Sequence, residues 1–62
     1  MSIKEALSAM AVELEEAQVD CDKFENGNDA AGRRVRSALM NISKACKELR
    51  TAIQNERNAR KA

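Results

Sequence analysis

Phe24-Glu25-Asn26-Gly27-Asn28-Asp29-Ala30-Ala31-Gly32-Arg33-Arg34-Val35-Arg36 is the stretch on which the reading of this chain turns. It contains both glycines of the 62 residues, and the charge changes sign across it. Residues 1–28 carry two lysines against seven carboxylates, a net of −5, and residues 29–62 carry nine cations against three carboxylates, a net of +6. A formal charge of +1 thus hides an acidic arm joined to a basic one. Asn26-Gly27-Asn28 has the chemistry of a helix stop. Gly27 suits the left-handed position just past a helix C-terminus, and Asn28 or Asp29 suits the N-cap of a following helix, where Asp29 also complements the positive end of the dipole.

Outward from the break, both arms read as helix. Proline, tryptophan and tyrosine are absent, strong helix formers dominate, and no run alternates apolar and polar residues with period two. Ser2 followed by Glu5 fits a capping box. Ile3, Leu7, Met10, Leu14, Ala17, Cys21 and Phe24 then recur at spacings of four and three, an unbroken heptad stripe. Val12 and Val19 lie off the stripe and are read as widening the apolar face for a second neighbour. Beyond the break, Val35, Leu39, Ile42, Cys46, Leu49 and Ile53 repeat the pattern, with Ala38, Ala45 and Ala52 beside them. Helix one is expected over about 3–26, a turn at 27–28 and helix two over about 29–60, all within a single domain of residues 1–62. Gly32 falls inside the second helix. It reflects either close approach of another group or tolerance of glycine near a helix end.

The expected fold is all-α, an antiparallel, coiled-coil-like helical hairpin. The large apolar side chains are too few to stabilise so short a chain alone, which points to self-association. A homodimer forming a four-helix bundle with two-fold symmetry follows. Its expected core is Ile3, Leu7, Met10, Leu14, Phe24, Val35, Leu39, Ile42, Leu49 and Ile53. Cys21 and Cys46 would lie ~19 Å apart along such a hairpin at ~1.5 Å per residue, far beyond the ~7 Å that a disulfide tolerates. Both are read as small apolar residues on the stripe.

Several function classes drop out. Two cysteines without histidine do not make a zinc site or a thiol nucleophile with a base. No Gly-rich phosphate loop is present. Neither a metal, a cofactor, a small-molecule substrate nor an enzymatic activity is expected. The longest apolar run, Ala9–Val12, is too short to cross a membrane, and no secretory signal is visible, so a cytoplasmic location is expected.

What remains is the charge. The positions one step past the second stripe are Arg36, Met40, Ser43, Lys47, Arg50, Gln54, Arg57 and Lys61, of which five are basic and none acidic. Such a row is the footprint of polyanion binding. Arg33, Arg34 and Arg36 cluster where a helix N-terminus already favours phosphate. The candidate phosphate contacts are Arg33, Arg34, Arg36, Lys44, Lys47, Arg50, Arg57, Arg60 and Lys61. The competing reading is that these charges pair within or between chains, with Asp20, Asp22 and Glu25 set against Arg33, Arg34 and Arg36 to fix register. No aromatic ring is free to stack on bases, which argues against single-strand recognition.

Lys23 through Arg36 resembles the small histone H1-like nucleoid proteins of chlamydiae and their short relatives in other bacteria. Gly27-Asn28, Ala30-Ala31 and Arg34-Val35-Arg36 carry the resemblance, and Lys44, Lys47, Glu48, Leu49 and Arg50 continue it into the basic helix. It spans about residues 3–55. The long lysine-rich tail of the chlamydial proteins has no counterpart within these 62 residues. The resemblance implies a sequence-tolerant architectural binder of double-stranded DNA in the bacterial nucleoid, with a self-associating helical domain. The alternative is a coiled-coil assembly module that binds no nucleic acid.

Overall fold

The computed structural model describes residues 2–61. Two helices, α1 (Ile3–Glu25) and α2 (Asp29–Lys61), pack as an antiparallel hairpin. The Cα atoms extend over 54 × 15 × 14 Å with a radius of gyration of 15.2 Å, against ~11 Å for a globular chain of this length. The molecule is a rod two helices wide. Helix α2 does not stop where its apolar pattern ends at Ile53 but continues to Lys61, beyond the end of its partner.

The helix ends follow from local chemistry. The Ser2 hydroxyl accepts from the Glu5 amide at 3.1 Å, and the Ser2 amide donates to Glu5 Oε1 at 3.3 Å, which completes the capping box. At the other end Asn26 is the C-cap and Gly27 takes φ +104°. The Gly27 amide donates to the Phe24 carbonyl at 2.9 Å and the Asn28 amide to the Lys23 carbonyl at 3.0 Å. These two bonds are a Schellman motif, which satisfies carbonyls the helix would leave open. Asn28, rather than Asp29, caps α2: its Oδ1 accepts from the Ala31 amide at 3.1 Å. One three-residue turn, Asn26–Asn28, therefore closes one helix and opens the next.

The seam between the helices differs from the expected one by a rotation. The side chains at least half-buried along α1 are Ile3, Ala6, Met10, Glu13, Ala17, Asp20 and Cys21, and along α2 Ala31, Gly32, Val35, Ala38, Ile42, Ala45 and Leu49. Only Ala17 and Ala31 are fully buried, Ala31 to 0 % exposure. Ile3, Met10, Val35, Ile42 and Leu49 of the expected core thus lie between the helices. Leu7, Leu14, Phe24, Leu39 and Ile53 remain 43–53 % exposed. The reason is geometric. An apolar stripe wider than one neighbour can cover must leave one flank open, and the interaxial distance is set by the side chains at the contact. The helices close on the flank where alanines permit the nearest approach. The flank with the leucines stays outside. Cys46 is exposed with it and so does not act as a buried apolar residue, whereas Cys21 is half-buried on the seam; both are free thiols. Val12 and Val19 do not widen the stripe either. They lie on the side of α1 opposite Ala17 and are exposed.

Gly32 has a specific cause. A Cβ built there would meet the Phe24 ring, with Cε1 at 2.7 Å. The ring of α1 is set against the bare backbone of α2 at the turn end of the rod, so close approach accounts for this glycine.

Alanine is favoured over glycine by about 1 kcal/mol within a helix. Gly32→Ala is expected to gain little or none of this in the parent chain, where it displaces Phe24. In a Phe24→Ala background it should raise stability by about 1 kcal/mol. Urea unfolding followed by circular dichroism checks the difference, and equal effects in both backgrounds would contradict the docked ring.

Candidate nucleic-acid interface

Turning Ala31, Val35, Ala38, Ile42, Ala45 and Leu49 toward α1 fixes where the cations of α2 go, because residues 100° apart per step sort onto defined sides. Arg33, Met40, Lys44 and Lys47 point away from α1. Arg36, Arg50 and Arg57 border the open apolar flank, four residues beyond or three before its large side chains. Arg34 falls on the opposite, polar flank. All these side chains are exposed, Met40 the most among the large apolar residues at 71 %. The row expected one step past the stripe is present, and Arg33 and Lys44 broaden it across the outer side of the helix.

The expectation of charge pairing across the turn holds for one pair. Arg34 Nε and Nη2 both donate to Asp20 Oδ1, at 3.2 and 3.1 Å. Glu13, Glu16, Ser37 and Asn41 line the same polar flank. Asp22 and Glu25 make no ion pair with Arg33 or Arg36 among the described residues. The second ion pair among them joins Arg60 to Glu56 within one turn of α2, at 4.0 Å. Arg33, Arg36, Lys44, Lys47, Arg50, Arg57 and Lys61 have no carboxylate partner among the described residues. The nine candidate cations therefore divide. Arg34 is engaged, Arg60 is loosely engaged by its own helix, and the rest project into solvent along one side of the rod.

The chemistry available is that of a line of solvated point charges. The one aromatic ring of the chain, Phe24, rests on Gly32 and is half exposed beside Arg33 and Arg36, so stacking on bases is limited to a single ring at the turn end. A row of guanidinium and ammonium groups on a straight helix neutralises phosphates without reading base edges. Among the described residues no three His, Cys, Asp or Glu side chains converge to hold a metal ion, and no helix is long and apolar enough to cross a membrane.

The seam alanines were only half legible in the sequence. Ala38, Ala45 and Ala52 stand out beside the stripe, but Ala31 belongs to the same seven-residue series. Read together, the four mark the flank of closest approach.

Exposed ion pairs contribute about 0–1 kcal/mol. Asp20→Asn is accordingly expected to lower stability by less than about 1 kcal/mol in dilute buffer, with the loss vanishing in molar salt. Arg36→Gln should leave stability unchanged under both conditions. Thermal melts at two salt concentrations check both.

The chain matches the family model of the histone H1-like protein Hc1 over residues 4–59. No curated protein and no solved structure matches it. The match covers both helices and the turn, including the Gly27-Asn28, Ala30-Ala31 and Arg34-Val35-Arg36 segments together with the basic side of α2. By that coverage the chain belongs to the histone H1-like Hc1 family of DNA-binding nucleoid proteins.

Proposed function

We propose that this protein packs duplex DNA by sequence-tolerant contacts to phosphates, made along the outer side of α2, and that it acts as a self-associated unit joined through its open apolar flank. The observation that carries the reading is the run of cations without carboxylate partners, Arg33, Arg36, Lys44, Lys47, Arg50, Arg57 and Lys61, in a chain of this family. From Arg33 to Lys61 the row extends ~42 Å at ~1.5 Å per residue. It can therefore follow several phosphates of one duplex. Binding draws on counterion release and is sequence-independent. Arg34 contributes least, because Asp20 already holds its guanidinium. The nucleoid is the compartment in which such a binder acts.

The open flank also favours a second reading, an assembly module whose charges only keep it soluble and in register. Leu7, Leu14, Leu39 and Ile53 need a partner under either reading. The two readings separate on DNA.

A mobility-shift titration of a random-sequence duplex at three salt concentrations is the test. With about four phosphates neutralised per chain, log K should fall against log salt with a slope near −3.6. Replacing Arg36 and Lys47 by glutamine should flatten the slope by about 1.8. Arg34→Gln should change it by clearly less than either single replacement. No shift at low salt, or a slope near zero, would overturn the DNA reading in favour of the assembly module.

A further inference from the structure

We infer that two copies join with α1 of each packed over α2 of the other, about a two-fold axis parallel to the helices. The two basic rows then lie on opposite corners of the bundle, and one dimer holds two duplexes apart and together. The inference rests on the DNA-binding, self-associating reading above and adds the arrangement that reading leaves open.

The open flank lies on the same side of both helices. Leu7 and Leu14 on α1, and Leu39, Cys46 and Ile53 on α2, repeat every seven residues and are all exposed. A strip as long as α1 and one hairpin wide is roughly 35 by 15 Å, so two copies face to face would cover about 1,000 Å², the lower bound of a specific interface. The second copy is the occupant because the strip is self-complementary in pattern: apolar rows in the middle and polar rows at both edges.

The edges decide the orientation. On α2 the border is Arg36, Ser43, Arg50 and Arg57; on α1 it is Lys4, Ala11, Gln18 and Glu25. A two-fold axis across the helices would stack α2 on α2 and align two arginine rows along one seam. Like charges set opposite each other are destabilising and reject the wrong pairing. An axis along the helices instead sets each arginine row against Lys4, Ala11, Gln18 and Glu25, which leaves a single like-charged meeting, Lys4 with Arg50, in place of two facing rows. It also preserves the levels of the hairpin, in which Phe24 faces Gly32 and Asp20 faces Arg34. The partner's Leu14 then falls between Leu39 and Cys46, and the partner's Leu7 between Cys46 and Ile53. These are knobs entering the gaps of a facing helix. In that arrangement the α2 helices are diagonal neighbours, and Arg33, Lys44 and Lys47 of each copy point outward in opposite directions.

Two measurements test this. In the first, an immobilised duplex is incubated with the protein and a labelled second duplex. Retention of the label is expected at protein concentrations that shift a single duplex. A shift without retention would overturn the arrangement. In the second, dimer dissociation is measured by sedimentation for Gln18→Glu and Gln18→Arg. Gln18 sits at the level of the partner's Arg36 when α1 lies over α2. The glutamate should then tighten the dimer roughly two- to fivefold in dilute buffer and the arginine loosen it comparably. When α1 lies over α2, the gain from the glutamate should vanish in an Arg36→Gln background; a gain that persists there, or equal effects of the two substitutions, would overturn the proposal. Failure to shift even a single duplex would strike the DNA reading alone, and the Gln18 pair would still decide the stacking.

Discussion

The close approach of α1 and α2 along a seam of small residues, with Ala17 and Ala31 its two fully buried members, is the constraint on which the rest of this rod depends. With alanine or glycine at 6, 17, 31, 32, 38 and 45 along the seam, α1 and α2 close on the side where little stands between their backbones. That choice settles three other things. The larger side chains at 7, 14, 39 and 53 are left half outside. Arg34 is brought to Asp20. The remaining cations of α2 are turned into solvent. Had the helices closed on the leucine flank, the same residues would have made a conventional hydrophobic hairpin, with Cys46 inside and a different row of charges outside. The alanine seam contributes little burial by itself, since a methyl group removes little apolar area from water. The hairpin is thus organised for shape more than for stability, and under the proposed self-association its folding and association would be coupled by mass action.

Much of the fold could be read from residues alone, for reasons that are local. The stop at Asn26-Gly27-Asn28 and the start at Ser2 and Glu5 involve a few neighbouring groups with few alternatives, and the structure realises them with Asn28 as the cap. The seam was less legible because Ile3, Met10 and Ala17 belong to two overlapping heptad patterns. One continues through Leu7, Leu14 and Cys21, the other through Ala6, Glu13 and Asp20. Hydrophobicity favours the first for a lone hairpin; closest approach favours the second, and tertiary packing decides between them. Gly32 was ambiguous for a related reason. Its partner, Phe24, lies across the turn, and nothing in the spacing says that a ring will lie on that backbone.

The charges show the same division between local and tertiary information. That the chain is acidic in its first arm and basic in its second is plain from composition. Which cations are engaged depends on how the helices are rotated. Rotation toward the alanines places Asp20 and Glu13 on one flank and leaves Glu25, Gln18 and Lys4 on the other. One carboxylate meets one arginine, and the outer side of α2 keeps its field. A rod with one engaged edge, one apolar flank and one cationic side suits the proposed phosphate-directed binding in a DNA-binding nucleoid family.

The central claim is that this hairpin is incomplete alone because its seam consumes alanines and leaves its large apolar residues uncovered. The most direct measurement is the thermal melt of helical circular dichroism over a hundredfold range of protein concentration. The account predicts a midpoint that rises steadily with concentration, with loss of helix and dissociation occurring together. A midpoint that stays constant across the range, with the helix intact in a species sedimenting as a single chain, would contradict it.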